Sequence, residues 1–142
     1  MYEYKCEVTR VVDGDTCDCI LDLGFSILHK CRVRLYGIDT PESRTRDLDE
    51  KARGKLASKF LQESIENGQE IVLRSELKDS KGKYGRVLGS IIVDGLDVNQ
   101  AMVAQSLAVK YFGQSKADVE VEHLANRQKL IDSGAYIPDS DI

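Results

Sequence analysis

Two carboxylate-rich runs of the sequence contain side chains that could bind a metal ion or a phosphate. In the longer run, Arg34 is followed closely by Asp39 and Glu42. Upstream, Asp13 and Asp15 flank a glycine and precede a threonine. An arginine can clamp a phosphate with its forked donors. The runs therefore indicate either an ion-pair network or a site that needs a cation, a base and an anion clamp together.

A third run supplies further cations. It reads Lys83-Tyr84-Gly85-Arg86 and, like the other two, lies at the end of a predicted strand. Scaffolds commonly place functional residues where regular elements end. We therefore expect the three runs to act together.

Composition favours a soluble globular protein with a sizeable core. The chain has 142 residues, of which 42% are hydrophobic and 31% charged, so we predict one domain over residues 1–142, with a loosely held tail at 135–142. With 24 acidic and 20 basic residues the formal net charge is −4. The chain as a whole therefore lacks the excess positive charge that is typical of nucleic-acid-binding proteins. Phosphate binding must come from local basic patches or from a metal ion that bridges carboxylates to phosphate.

The sequence shows neither a leader peptide nor a membrane span. No basic and apolar leader opens the chain, and no run approaches the roughly 20 apolar residues that cross a bilayer. We expect a cytoplasmic protein that does not enter membranes and acts as a monomer.

The four cysteines, Cys6, Cys17, Cys19 and Cys31, all lie in predicted strands. None forms the Cys-x-x-Cys pair that is typical of zinc sites. We predict reduced thiols that pack as small core residues. Disulfides are the alternative and would matter in an exported protein.

Apolar alternation predicts three consecutive strands over residues 4–12, 15–23 and 25–36. In the third, Phe25, Ile27, Cys31, Val33 and Leu35 share one face. Turns at Asp13-Gly14 and Gly24 would make these strands an antiparallel meander.

Helical periodicity predicts a first helix that is capped by Asp47 and ends at Gly68. Gly54 inside it should cost about 1 kcal/mol relative to alanine, which predicts a packing reason or a frayed first turn. Two strands over 69–77 and 84–93 follow, then a second helix from residue 97 or 98. A third helix is capped by Ser115, and its predicted buried stripe is Ala117, Val121, Leu124, Ala125 and Ile131.

The order of these elements predicts an α+β fold, with a five-stranded barrel of the oligonucleotide-binding type and three helices.

The three charged runs together resemble the staphylococcal nuclease (thermonuclease) family, over roughly residues 5 to 135. The resemblance implies the same barrel and a calcium-dependent endonuclease. It would hydrolyse DNA, and possibly RNA, to 3′-phosphate and 5′-hydroxyl ends. The implied Ca²⁺ ligands are the carboxylates of Asp15 and Asp39 and the backbone carbonyl of Thr40. The implied catalytic residues are Glu42 as general base and Arg34 and Arg86 as phosphate clamps, and the implied substrate-binding residues are Lys83, Tyr84 and Tyr111.

Several alternatives stay open at this point. The domain could be a non-catalytic module that binds nucleic acid or protein, or a structural domain whose melting temperature is insensitive to Ca²⁺. Arg34 could form a purely structural ion pair, and Asp13 could serve only the turn. We expect His29 and His123 to be ordinary surface or edge residues. A basic group either guides nucleic acid or forms a solvated surface: Arg44, Arg46, Lys51 and Arg53.

Overall fold

The architecture comes from a computed structural model that describes residues 2–75 and 87–138. In chain order its elements are β1 (Glu3–Asp13), β2 (Thr16–Asp22), β3 (Leu28–Leu35), β4 (Ile38–Asp39), α1 (Leu48–Glu66), β5 (Ile71–Ser75), β6 (Val87–Val93), β7 (Leu96–Asp97), α2 (Val98–Ala104), β8 (Val109–Lys110) and α3 (Lys116–Asp132).

Five of the strands close into a barrel. β1 pairs antiparallel with β2 and β5, β2 with β3, and β5 with β6. A parallel pairing of β3 with β6, in which Arg34 lies opposite Leu88, completes the ring. The predicted α+β class, a five-stranded barrel with three helices, is confirmed.

Alternation along β2 fills the barrel with small side chains. Cys17, Cys19 and Leu21 point inward and are at most 3% exposed. All four cysteines are free thiols, as predicted, and the sulfur atoms of Cys17 and Cys19 lie 3.5 Å apart. Burial raises the pKa of Cys31 to about 11, so the interior of the barrel favours neutral thiols.

The third strand begins later than predicted, at Leu28. Gly24, Phe25 and Ser26 have φ values of 84°, 55° and 63°, and Phe25 is 98% exposed. Placing Phe25 and Ile27 on a buried strand face was therefore wrong. The hairpin is closed by a hydrogen bond from Ile27 N to Gly24 O, and the left-handed turn between them breaks the alternation.

The caps predicted for the first and third helices are confirmed. Asp47 accepts hydrogen bonds from Asp49 N and Glu50 N at the start of α1. Asp97 and Ser115 cap α2 and α3 in the same way. These side chains satisfy backbone donors that a helix leaves unpaired in its first turn.

The predicted buried face of α3 was wrong. Val119, His123 and Leu130 are its buried residues, whereas Val121 is 67% and Leu124 50% exposed. α3 directs a mixture of polar and apolar side chains at the protein, and the polar ones are hydrogen-bonded there. Asn126, for example, donates to the carbonyl of Ala108 at 3.1 Å. Apolar periodicity alone cannot identify such a face.

A network around Asp49 links α1 to α3 and to the residues that follow it. Its carboxylate accepts hydrogen bonds from Arg53 Nε at 2.9 Å, Arg127 Nε at 3.0 Å and the Tyr136 hydroxyl at 2.9 Å. Burial alone would raise the pKa of Asp49, but these donors together lower it. Arg53 is only 5% exposed, so it is a structural residue and is not available to guide nucleic acid.

Within the described ranges, no helix combines the length and apolar character that crossing a bilayer requires.

Candidate active site

The strand register brings a guanidinium between two carboxylates. Arg34 occupies the end of β3, opposite Thr16, and Asp15 immediately precedes that threonine. Arg34 Nη2 lies 3.5 Å from Asp15 Oδ2 and 3.6 Å from Asp39 Oδ1. Its Nη1 donates to the carbonyl of Leu35 at 2.9 Å, which fixes the other side of the fork. The cation is therefore held in one orientation beside both predicted metal ligands.

The turn that carries Asp15 packs tightly on its neighbours. The backbone N–H of Thr40 and the hydroxyl of Thr16 both donate to the Asp15 carboxylate at 3.1 Å. A Cβ added to Gly14 would come within 2.6 Å of the Ala57 Cβ on α1. Because no other residue leaves that space, the glycine allows the turn to rest directly on the helix.

The backbone of Glu42 is anchored to α1. Its N–H donates to Glu50 Oε2 at 3.1 Å. A Cβ on Gly54 would lie only 2.7 Å from the carbonyl carbon and oxygen of Glu42 and from the Pro41 oxygen. The packing reason predicted for this helical glycine is thus confirmed: it lets the loop that carries Glu42 touch the helix backbone.

The Glu42 side chain sits in negative potential. Partial burial raises its pKa most, and nearby carboxylates raise it further: Asp13, Asp15, Asp39 and Glu50. A carboxylate whose pKa is raised is a stronger base than an ordinary surface glutamate.

An open cleft of about 950 Å³ joins these groups. Its walls include Arg34, Asp39, Thr40, Glu42 and Tyr111. The short pairing of β4 with β8 brings that tyrosine near, and its N–H donates to Gly37 O at 2.8 Å. Tyr111 is 40% exposed, so its ring is accessible from the cleft.

His123 also lines this cleft, contrary to the prediction of a surface or edge residue. It is 6% exposed, and its Nε2 lies 2.7 Å from Asp39 Oδ2. The sequence signal was its position among apolar residues on a helix, which does not reveal a partner so distant in the chain. His29, by contrast, is exposed as expected.

The donor groups of the cleft fit a hard divalent cation. Asp15, Asp39 and the Thr40 carbonyl offer oxygen ligands, which Ca²⁺ prefers. The carboxylates of Asp15 and Asp39 both lie beside the Arg34 guanidinium, at 3.5 and 3.6 Å, so the two predicted ligands converge on one region of the cleft. In the ranges the structure covers, no three His, Cys, Asp or Glu side chains converge closely enough to hold a metal by themselves. Water or substrate oxygens would have to complete the coordination.

The structure thus brings six predicted site residues together: Asp15, Arg34, Asp39, Thr40, Glu42 and Tyr111. Their roles stay predictions. The predictions for Lys83, Tyr84 and Arg86 lie outside the described residues.

The remaining predicted groups have separate surroundings. Asp13 accepts a hydrogen bond from the Ser43 hydroxyl, which ties the first turn to the loop after Glu42. Arg44 and Arg46 are exposed on that loop, so either could still meet a nucleic acid.

Comparison with known proteins gives a consistent result. The family model described as "Staphylococcal nuclease homologue" matches residues 32–130. The chain is 37% identical over 118 residues to Endonuclease YhcR of Bacillus subtilis (strain 168), a match that covers 78% of this chain and 9% of the relative. It is 34% identical over 134 residues to Protein ParB of Escherichia coli, covering 86% of this chain and 66% of the relative.

A third relative is the SPbeta prophage-derived endonuclease YokF of Bacillus subtilis (strain 168). It is 30% identical over 139 residues, covering 92% of this chain and 45% of the relative. The chain therefore spans less than two thirds of the length of these relatives.

Proposed function

The chain belongs to the staphylococcal nuclease homologue family, and from this premise we propose that it is a calcium-dependent endonuclease. Its substrate is DNA, with RNA as a second substrate, and it hydrolyses phosphodiester bonds to 3′-phosphate and 5′-hydroxyl ends. The observation that carries the proposal is the position of Arg34 between Asp15 and Asp39, at 3.5 and 3.6 Å. Two of the three relatives named above have the word endonuclease in their names, which supports it further.

Glu42 is the proposed general base. It removes a proton from the water that attacks phosphorus, while the bond from phosphorus to the 5′ oxygen breaks and that oxygen takes a proton from solvent water to leave as a hydroxyl. The raised pKa of the Glu42 carboxyl suits this task, because a base works best when its pKa approaches the working pH. The Gly54 contact and the hydrogen bond to Glu50 hold its backbone in place.

Arg34 is the proposed phosphate clamp. A guanidinium presents planar, forked donors that match phosphate oxygens and stabilise the charge that grows in the transition state. One guanidinium nitrogen of Arg34 donates a hydrogen bond to the Leu35 carbonyl. The side chain is therefore oriented before the substrate binds. We assign the second clamp to Arg86 by family resemblance alone.

Ca²⁺, when bound, supplies positive charge that neutralises a phosphate oxygen. Asp15, Asp39 and the Thr40 carbonyl would hold it. Tyr111, exposed at the edge of the cleft, offers a ring on which a nucleobase can stack, and such stacking tolerates any base. Lys83 and Tyr84 are assigned to the substrate phosphate by family resemblance.

The test is digestion of single-stranded DNA with Ca²⁺ and with a chelator. We expect cleavage only with Ca²⁺, and a fall of about 10² to 10³ in rate for Arg34→Ala, the scale for loss of one preorganised donor. Glu42→Gln should lose activity without losing the fold. Arg32→Ala is the matched control, because this arginine lies two residues away and pairs with the surface residue Asp18, outside the cleft.

Three results would contradict the proposal. Equal cleavage with Ca²⁺ and with the chelator would show that the reaction does not depend on Ca²⁺. Full activity in Glu42→Gln would show that Glu42 is not the general base. A strand that binds without being cut would favour a binding module instead.

A further inference from the structure

His123, a residue of α3, forms a hydrogen bond to the predicted metal ligand Asp39. Its Nε2 lies 2.7 Å from Asp39 Oδ2, although the two residues are 84 positions apart in the chain. An ionised carboxylate can only accept a hydrogen bond, so Nε2 carries the proton and donates. The ring thus holds one specific oxygen of Asp39.

The surroundings of the ring show that this hydrogen bond is its main polar contact. His123 is 6% exposed, and its Nδ1 is buried with no hydrogen-bond partner among the described residues. Burying an unpaired polar atom costs about 1 to 3 kcal/mol. An apolar side chain would avoid that penalty, so packing alone does not account for a histidine at this position.

The contact determines which oxygen of Asp39 faces the cations. With Oδ2 held by His123, Oδ1 is directed to Arg34 Nη2 at 3.6 Å. Rotation of an aspartate carboxylate about its last bond is broad, so a fixed donor on one oxygen selects the orientation of the other. The backbone of Asp39 is held independently, by its pairing with Val109.

We propose that His123 is a positioning residue that orients the Asp39 carboxylate for the divalent cation. The inference rests on the proposed function, because it assumes that Asp39 is a ligand. His123 acts through Asp39 and takes no part in bond making. Hydrogen-bonding partners of metal ligands commonly contribute 10- to 100-fold to metal affinity, and we expect an effect of that size here.

The experiment compares His123→Gln with His123→Leu. Glutamine can place a donor near the position of Nε2, whereas leucine fills similar space without one. The readout is the rise in melting temperature as Ca²⁺ is added, with no substrate present. Binding to the native state raises the melting temperature, so the midpoint of the rise reports metal affinity.

We expect the Ca²⁺ concentration at the midpoint to increase about 10- to 100-fold in His123→Leu, and to stay within a few-fold of wild type in His123→Gln. Asn126→Ala is the matched control. It removes a hydrogen bond from the same helix to Ala108 O without touching Asp39. Its melting temperature should fall while its Ca²⁺ midpoint stays unchanged.

Two results would overturn the inference while leaving the proposed function intact. One is an unchanged Ca²⁺ midpoint in His123→Leu. The other is an equal change in the leucine and Asn126→Ala variants, which would assign the effect to loosening of α3. If wild type itself gives no Ca²⁺-dependent rise, the proposed function and the inference both fail.

Discussion

Gly54 on α1 lies in van der Waals contact with the backbone of Glu42, so closely that an added Cβ would stand 2.7 Å from the Glu42 carbonyl carbon. The end of a flexible side chain could rotate away from such a contact, but the backbone atoms of Glu42 cannot. The residue proposed as general base is therefore positioned by the absence of a side chain on a neighbouring helix.

Gly54→Ala should impair catalysis more than it impairs folding. Alanine gains about 1 kcal/mol of helix propensity, while overpacking costs about 1 to 3 kcal/mol, so the net loss of stability is about 1 kcal/mol. The displaced Glu42 loop should lower kcat by about 10- to 100-fold, the scale of small misplacements at a reacting centre. Kinetics and urea denaturation on the same preparation measure both effects. Lys55→Ala, at the exposed next position, is the control and should change neither kcat nor stability. A wild-type kcat in Gly54→Ala would refute the role of Gly54 in positioning Glu42.

Asp49→Asn should lower stability at neutral pH and make stability less sensitive to acid. The three donors around Asp49 lower its pKa in the folded state against the opposing effect of burial. A lowered pKa contributes stability that is present above the unfolded-state value and is lost as pH falls through the folded-state value. We expect about 2 to 3 kcal/mol at pH 7, because Arg53 loses the partner of its buried charge.

The measurement for Asp49 is the free energy of unfolding from pH 7 down to pH 3. The difference between wild type and variant should shrink on acidification. Glu63→Gln removes an exposed ion pair from the same helix and should cost less than about 1 kcal/mol. If the difference in unfolding free energy between wild type and Asp49→Asn is independent of pH, the stabilisation by this network does not depend on the charge of Asp49.

Asn99→Asp should destabilise the fold despite equal size. The Asn99 side-chain amide donates to Tyr36 O at 3.0 Å and Gly89 O at 3.3 Å, and its oxygen accepts from Ile91 N. A carboxylate would place acceptors against two carbonyl oxygens in a site that is 2% exposed. We expect a loss of about 2 to 5 kcal/mol in denaturant melts. Gln100→Glu, on the exposed side of α2, should be neutral, and near-native stability of Asn99→Asp would show that water enters the site.

The barrel thiols should resist alkylation in the native state. The hydrogen bond with Cys19 and burial raise the pKa of Cys6, and burial raises that of Cys31 to about 11. Because thiolates are the reactive form, Cys31 should react about 100-fold more slowly at pH 8 than a thiol with the ordinary value of 9.0. Mass spectrometry after timed iodoacetamide treatment, with and without denaturant, gives the rates. Fast native labelling of Cys31 would contradict the buried environment.

The sequence predicted the order of the main elements, and it selected six residues that the structure brings to one cleft, because both depend on local signals. Caps such as Asp47 and Ser115 precede periodic segments, and the spacing of Asp15, Arg34 and Asp39 carries the family resemblance. The register of β2 with β3 places Asp15 beside Arg34, and turn chemistry and alternation already suggest that register.

His123 and Glu50 could not be assigned in this way. Each acts across a tertiary contact, His123 on Asp39 and Glu50 on the backbone of Glu42. A buried histidine looks like any polar interruption of a helix face, and the more apolar face of α3 is the exposed one. Only the packed structure shows which polar residue has a partner.

The parallel pairing of β3 with β6 joins two strands that are synthesised well apart in time. Arg34 reaches its register opposite Leu88 only after β6 exists, and contacts so distant in sequence form slowly because a long loop must first close. Asp39 meets His123 later still along the chain. A growing polypeptide therefore contains the first carboxylates of the cleft before the cleft exists, and the candidate site is complete only once the residues of α3 have been synthesised.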